Sequence, residues 1–309
     1  MLNKPYAVRC RDLLRRGLSQ WQLYLLILPA VIYLILFHYI PMYGVQIAFR
    51  DFRISKGIFG SNWVGLKHFA AFINYPNFSK IMLNTLYISL YSFATFPLSI
   101  ILALMLNEVD NLRYKKTVQM ITYAPYFVST VVVCSMITLF LNRSNGLLNN
   151  IIAQFGGERV AFLESPKYFY TIYVWSDVWQ GIGWGTIIYL AALSGVSPEL
   201  VEAAKIDGAS RLQIVLHVDI PSILPTIIIT LIMRCGSILS VGFDKAYLLQ
   251  NPLNLEASQV ISTYVYELGL QSGRFSYAAA ISLFNTIINV GFLAIVNAIS
   301  KRASGISLW

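Results

Sequence analysis

Two charged side chains interrupt long apolar runs, and chemistry is first looked for there. Asp177 lies in the run 169–193 and Arg234 in the run 223–243. A charge at the centre of a bilayer costs at least ~2.5–3.5 kcal/mol on insertion scales, so such a group faces a cavity or a partner. The two runs cross in opposite directions, and a rise of ~1.5 Å per residue brings both charges to similar depth. The expectation is that Asp177 and Arg234 pair, or face one cavity along a path through the membrane. The structural alternative is a purely stabilising pair. Helical periodicity puts Gln180 and Trp184 near the Asp177 face, and Trp175 and Trp179 near another. Polar groups beside an aromatic ring suit a ligand with apolar faces and a hydroxyl rim, such as a sugar. Asp177, Gln180, Trp184 and Arg234 are therefore the candidate lining of the path, and Trp175 and Trp179 read as an interfacial belt. Asn285 and Asn289, four apart in the run 276–300, either line the same path or tie helices together.

Other chemistry finds little support. There is no Gly-x-x-x-x-Gly-Lys-Ser/Thr, no His-Glu-x-x-His and no Gly-x-Ser-x-Gly. His68 has no catalytic partner nearby. Cys10, Cys134 and Cys235 make neither a disulfide framework nor a metal spacing, so no metal site is expected. Energy for any work must come from a partner or from an ion gradient.

The elements that position these residues are membrane helices. Of the 309 residues, 57% are hydrophobic and 12% charged, against roughly 25% charged in soluble domains. Six spans are predicted, at about 21–49, 83–107, 118–141, 169–193, 223–243 and 276–300. Pro29 and Pro41 can kink the first, and Pro125 falls near the inner end of the third. Gly181 and Gly185 form a small-xxx-small pair for close helix approach. The segments 50–82, 142–168 and 244–275 are expected outside, with a short helix near Leu147–Phe155. An even number of spans puts both ends of the chain on one side. That side, with the segment 1–20, the loop 108–117, the loop 194–222 and the tail 301–309, holds 12 Lys/Arg against 10 outside over more residues. The bias makes it the cytoplasmic side. The net charge of +9 is read as orientation and anionic lipid contact, not nucleic acid. The start lacks a small-residue cleavage site and does not read as a secretory signal. The fold class expected is thus an all-α integral membrane protein with six transmembrane helices and both termini cytoplasmic.

Between spans four and five lies one long polar stretch, Glu202-Ala203-Ala204-Lys205-Ile206-Asp207-Gly208-Ala209, continuing through Ser210 to Pro221. It reads as a helix-turn-helix. Ser197 can cap its first helix, with Pro198 at the first position. Gly208 supplies the positive φ that stops that helix. Ser210 can cap a second helix carrying Leu212, Ile214, Val215 and Val218, and Pro221 allows entry into span five. Alanines are too small to fill a core, but they let another backbone come close. The alternative is an ordinary amphipathic loop lying on the membrane.

This stretch resembles the EAA motif of permease subunits in binding-protein-dependent ABC importers. Glu202, Ala203, Ala204, Asp207, Gly208, Ala209 and Pro221 match the motif. Val215, Val218 and Ile220 replace Phe, Ile and Leu and keep the apolar character. Trp63-Val64-Gly65-Leu66-Lys67-His68-Phe69 and Asn84-Thr85-Leu86 resemble stretches of the sugar-transporting members. The resemblance implies one permease domain, 21–300, that is not itself an enzyme, in a bacterial cytoplasmic membrane. The loop 194–222 would be its coupling element to an ATPase. It further implies a second, similar permease, two ATP-binding subunits holding ATP and Mg, and an extracytoplasmic solute-binding protein. An oligo- or polysaccharide cargo is implied, and no cofactor in this chain. A secondary transporter using Asp177 and Arg234 as an ion relay would explain the buried charges but not the motif, and nothing positive supports an intramembrane enzyme or assembly factor.

Overall fold

A computed structural model describes residues 21–309; the basic segment 1–20, with Cys10, lies outside the described residues. The chain divides into two compact units, up to Lys67 and from His68 onward.

In the first unit, helix α1 (Trp21–Leu34) continues through a π turn and a 3-10 turn to Phe49. None of α1 is buried, as an all-round apolar helix requires if lipid or another helix is to cover it. The unit ends in a two-residue antiparallel ladder, β1 (Arg50–Asp51) on β2 (Asn62–Trp63), pairing Arg50 with Trp63. Phe49 stacks on Trp63 with centroids 5.5 Å apart.

The second unit takes up α2 (Lys67–Ile73) from its second residue and continues with α3 (Phe78–Ala94) and α4 (Pro97–Asn107). Pro97 divides the 30-residue span 78–107 by removing one backbone donor. Asn84 ties α3 down from its side. Its Nδ2 donates to the carbonyls of Glu256 and Gln259, and its Oδ1 accepts from Tyr170 at 2.8 Å.

Span three differs from the sequence expectation. Asn111 caps α5 (Leu112–Tyr123), so the helix starts inside the expected loop. A 3-10 turn at Ala124–Phe127 contains Pro125, Val128 is extended, and Ser129 caps a new helix, α6 (Thr130–Phe140). The two halves meet at 97°. Proline deprives the turn of a donor, and the serine cap makes a restart favourable. The expected short helix in the next segment is α7 (Leu147–Gln154).

Helix α8 (Pro166–Leu193) spans 28 residues and bends by 79° into α9 (Pro198–Ile206). Next come α10 (Arg211–Ile214), a π turn at Val215–Asp219, and α11 (Ile220–Cys235). The helix begins before the expected 223, and Pro221, expected to allow entry into span five, sits in its first turn, where its missing N–H is harmless. The run Arg211–Cys235 is one 25-residue span and ends before the expected 243.

The segment 244–275, expected outside, is largely helical and packed against other helices. It holds α12 (Phe243–Leu249), α13 (Leu255–Ser258) and α14 (Ile261–Tyr266). Ala246, Leu249, Ala257 and Val260 join Cys134, Phe169 and Val174 in one core cluster. The last helix, α15 (Phe275–Ser304), ends at Gly305 with φ +71°. The tail folds back on it, Leu308 N–H donating to Asn297 at 2.8 Å. Among the described residues, four helices are long and apolar enough to cross a membrane, or six if each bent pair counts as one span.

Candidate functional site: a charged cavity and an exposed elbow

Asp177 and Arg234 line the same cavity of about 440 Å³, between α3–α4, the turn at Tyr126, α8 and α11. A smaller cavity of about 180 Å³ shares Ser92, Asp177 and Arg234 and is closed by the chain at Ser237–Gly242. The larger falls within the roughly 300–1,000 Å³ of small-molecule sites.

The direct pair expected between these two charges does not form. Asp177 Oδ1 accepts from Lys245 Nζ at 2.6 Å. Lys245 projects from α12, is 4% exposed and lies 5.5 Å from the Tyr173 ring centroid. Arg234 Nη2 donates instead to the Ser92 carbonyl at 2.7 Å, and its guanidinium lies 5.7 Å from the Phe96 ring centroid. Lys245 escaped sequence reading because it lies in a segment expected outside. The available signal was its neighbours: Ala246 and Leu249, one and four residues on, put an apolar face beside it.

Gln180 faces the larger cavity, and its Nε2 donates to the Val128 carbonyl at 2.9 Å. That carbonyl is freed where span three breaks, so Gln180 satisfies a backbone group that lipid cannot. Trp184 does not line the cavity. It stacks flat on Tyr126, centroids 4.4 Å apart and planes at 1°, and Tyr126 forms the wall. Trp175 and Trp179 are half exposed, and Trp175 Nε1 donates to Tyr91 at 2.9 Å.

Neither Asn285 nor Asn289 lines either cavity. Asn289 holds the chain where span five ends, accepting from Leu239 N–H at 2.9 Å and donating to Ser240 at 3.0 Å. Asn285 Oδ1 is buried with no hydrogen-bond partner among the described residues. The glycine pairing also changes. An added Cβ on Gly181 meets nothing, on Gly183 it would lie 2.1 Å from the Thr122 carbonyl, and on Gly185 2.6 Å from Ser99 Oγ. Gly183 and Gly185 make the close approach, while Gly181 opens the cavity.

The second feature is the elbow. No residue of α9 is buried; Glu202, Ala203, Asp207 and Gly208 are exposed, and Ala204 and Ala209 half-buried. Gly208 has φ +80°. Ala209 N–H donates to Ala204 O and Gly208 N–H to Lys205 O, at 2.9 and 3.1 Å; these are the two bonds of a Schellman ending. Ser197 precedes α9 without a side-chain cap, contrary to expectation. Ser210 forms the full capping box with Gln213. Exposed Ile206 and Leu212 flank the turn.

The sequence profile of a family described as binding-protein-dependent transport system inner membrane components matches residues 95–305. Over 293 residues the chain is 43% identical to the polygalacturonan/rhamnogalacturonan transport system permease protein YteP of Bacillus subtilis (strain 168), covering 94% of this chain and 91% of the other. It is 40% identical over 285 residues to Protein LplB of the same organism, covering 92% and 89%. Among solved structures, it resembles a chain of a bacterial ABC transporter involved in the import of the acidic polysaccharide alginate. The TM-score is 0.88 at 38% identity, covering 95% of this chain and 99% of that one. A second crystal structure holds the alginate transporter with an alginate pentasaccharide-bound periplasmic protein; it matches with a TM-score of 0.87 at 38% identity and the same coverage.

Proposed function

The chain belongs to the family of inner membrane components of binding-protein-dependent transport systems, and from that premise we propose that it is half of the translocation pathway of an ATP-driven saccharide importer. The cargo is an oligosaccharide or a polysaccharide fragment, as the polysaccharides in the relatives' names suggest. The chain crosses the membrane six times with both termini and the elbow in the cytoplasm, the side with the denser basic residues. A second permease completes the path. Two ATP-binding subunits, which bind ATP and Mg, grip the two elbows, and an extracytoplasmic solute-binding protein delivers the sugar.

The observation that carries this reading is the continuity between elbow and cavity. The exposed turn at Gly208 passes without a helix break into the span bearing Arg234. Movement of a gripped elbow is thereby transmitted to the cavity wall. A change in the wall's position relative to α8 opens the path to one side or the other. Glu202, Ala203, Ala204, Asp207, Gly208, Ala209 and Pro221 act in this coupling and do not touch sugar.

The secondary-transporter reading requires Asp177 and Arg234 to exchange an ion. Asp177 is held by Lys245 and Arg234 by a backbone carbonyl, so the relay lacks its direct step. The test is co-purification followed by reconstitution. The importer should retain an ATP-hydrolysing subunit and accumulate saccharide only with ATP inside the vesicle compartment that faces the elbow. Uphill uptake by this chain alone under an ion gradient would sink the proposal.

A further inference from the structure

We propose that Arg234 receives the carboxylate of an acidic sugar residue, and that Lys245 sets this preference from behind by cancelling the charge of Asp177. The inference rests on the importer reading and adds the chemical class of the cargo.

Asp177 and Arg234 are the charged residues that line the two cavities, and both line both. Alone they would leave the path with no net sign. Lys245 changes that balance, because its Nζ reaches Asp177 at 2.6 Å from the core side and lines neither cavity. Its side chain is 5% exposed, whereas that of Asp177 is 50% exposed. The Asp177–Lys245 pair is neutral as a unit, and the charge left facing the path is that of Arg234.

Arg234 is also oriented for the task. One edge of its guanidinium is anchored on the Ser92 carbonyl and its face covers Phe96. A guanidinium carries five N–H donors, so donors remain for a ligand, and their fork matches a carboxylate. Hydroxyl groups surround it, from Ser92, Thr95 and Ser99 in the larger cavity and Ser89, Ser237 and Ser240 in the smaller. They suit sugar hydroxyls and supply no competing charge. A neutral saccharide would desolvate Arg234 without a counterion, which is unfavourable in a low-dielectric path. A uronate supplies that counterion.

The experiment is ATP-driven uptake by the complete reconstituted importer with two acidic probes, a galacturonate trisaccharide and a mannuronate trisaccharide. Each is compared with its methyl ester. The wild type should favour at least one acid over its ester. Arg234→Gln should reduce that ratio at least about tenfold, chiefly by loss of acid uptake, and Arg234→Lys should restore part of it. Lys245→Met should lower the ratio by unmasking Asp177, and the double change Asp177→Asn with Lys245→Met should return it to wild-type value. An Arg234→Gln importer with the wild-type ratio, or a double variant that loses the preference, overturns the proposal. So does an assembled, ATP-hydrolysing importer that takes up neither acid or prefers the esters. A chain that assembles with no ATPase fails at the importer reading itself, so the two failures are distinguishable.

Discussion

Lys245 and Asp177, 68 residues apart in sequence, meet at 2.6 Å between α12 and α8. The lysine is buried and the aspartate half exposed, so removing either one leaves a different defect. Lys245→Met strands a carboxylate at the cavity wall; with one partner half solvated, the cost falls below the ~3–5 kcal/mol of a fully buried pair. Asp177→Asn strands a buried ammonium and costs more. Thermal unfolding in detergent should rank Asp177→Asn below Lys245→Met, with the double variant nearest wild type. Equal melting of all three would show that the pair contributes nothing to stability.

Gly208 takes φ +80° where an added side chain has open space around it, so only backbone strain opposes substitution. Gly208→Val should cost about 1–2 kcal/mol at the turn and lower the bundle's melting temperature by only a few degrees. Its effect should appear in partner retention: several-fold less ATPase should co-purify. Gly208→Asn should fall between the two, because Asn tolerates the left-handed region better.

Gly181 and Gly183 are two residues apart and should respond oppositely. A methyl group at Gly183 meets the Thr122 carbonyl; overpacking of this kind costs about 1–3 kcal/mol, and a backbone obstacle puts it at the upper end. Gly183→Ala should therefore melt earlier. Gly181→Ala should melt like wild type and slow transport by narrowing the cavity. Identical melting of the two variants would contradict the packing described above.

Asn289 and Asn285 make a second contrast on one helix. Asn289→Leu removes the acceptor for the Leu239 amide and should cost about 1–3 kcal/mol for the donor left unpaired. Asn285→Leu removes a buried oxygen that has no partner and should be neutral or stabilising. Measured melting shifts of the same sign and size would refute this assignment.

Much of the architecture follows from hydropathy and a few local signals. The first, second and last spans stand close to the expected runs, and the turn at Gly208 has the expected left-handed glycine. The misses share a cause. Span three is apolar along its length, and its 97° bend depends on how Pro125, Val128 and Ser129 act together with Gln180 fifty residues away. Hydropathy averages across such a break. Nothing local marks the segment 244–275 as packed, because Lys245 and Asn254 are polar, yet both are buried with partners. Only tertiary contact makes that burial tolerable. Asp177 and Arg234, expected to pair or to face one cavity, line a common cavity without pairing, while the residue that neutralises Asp177 required the fold to bring it close.

The π turn at Val215–Asp219 joins α10 to α11 without a swivel. The 25 residues from Arg211 to Cys235 form a shaft of roughly 37 Å at ~1.5 Å per residue. The 79° bend at Ser194–Ser197 lies on the other side of the turn, so the shaft is set off from α8 by a corner. A grip on Gly208 is then a hand on a tiller: a few degrees of swing at the elbow sweeps the far end sideways, and Arg234 rides one residue from its tip.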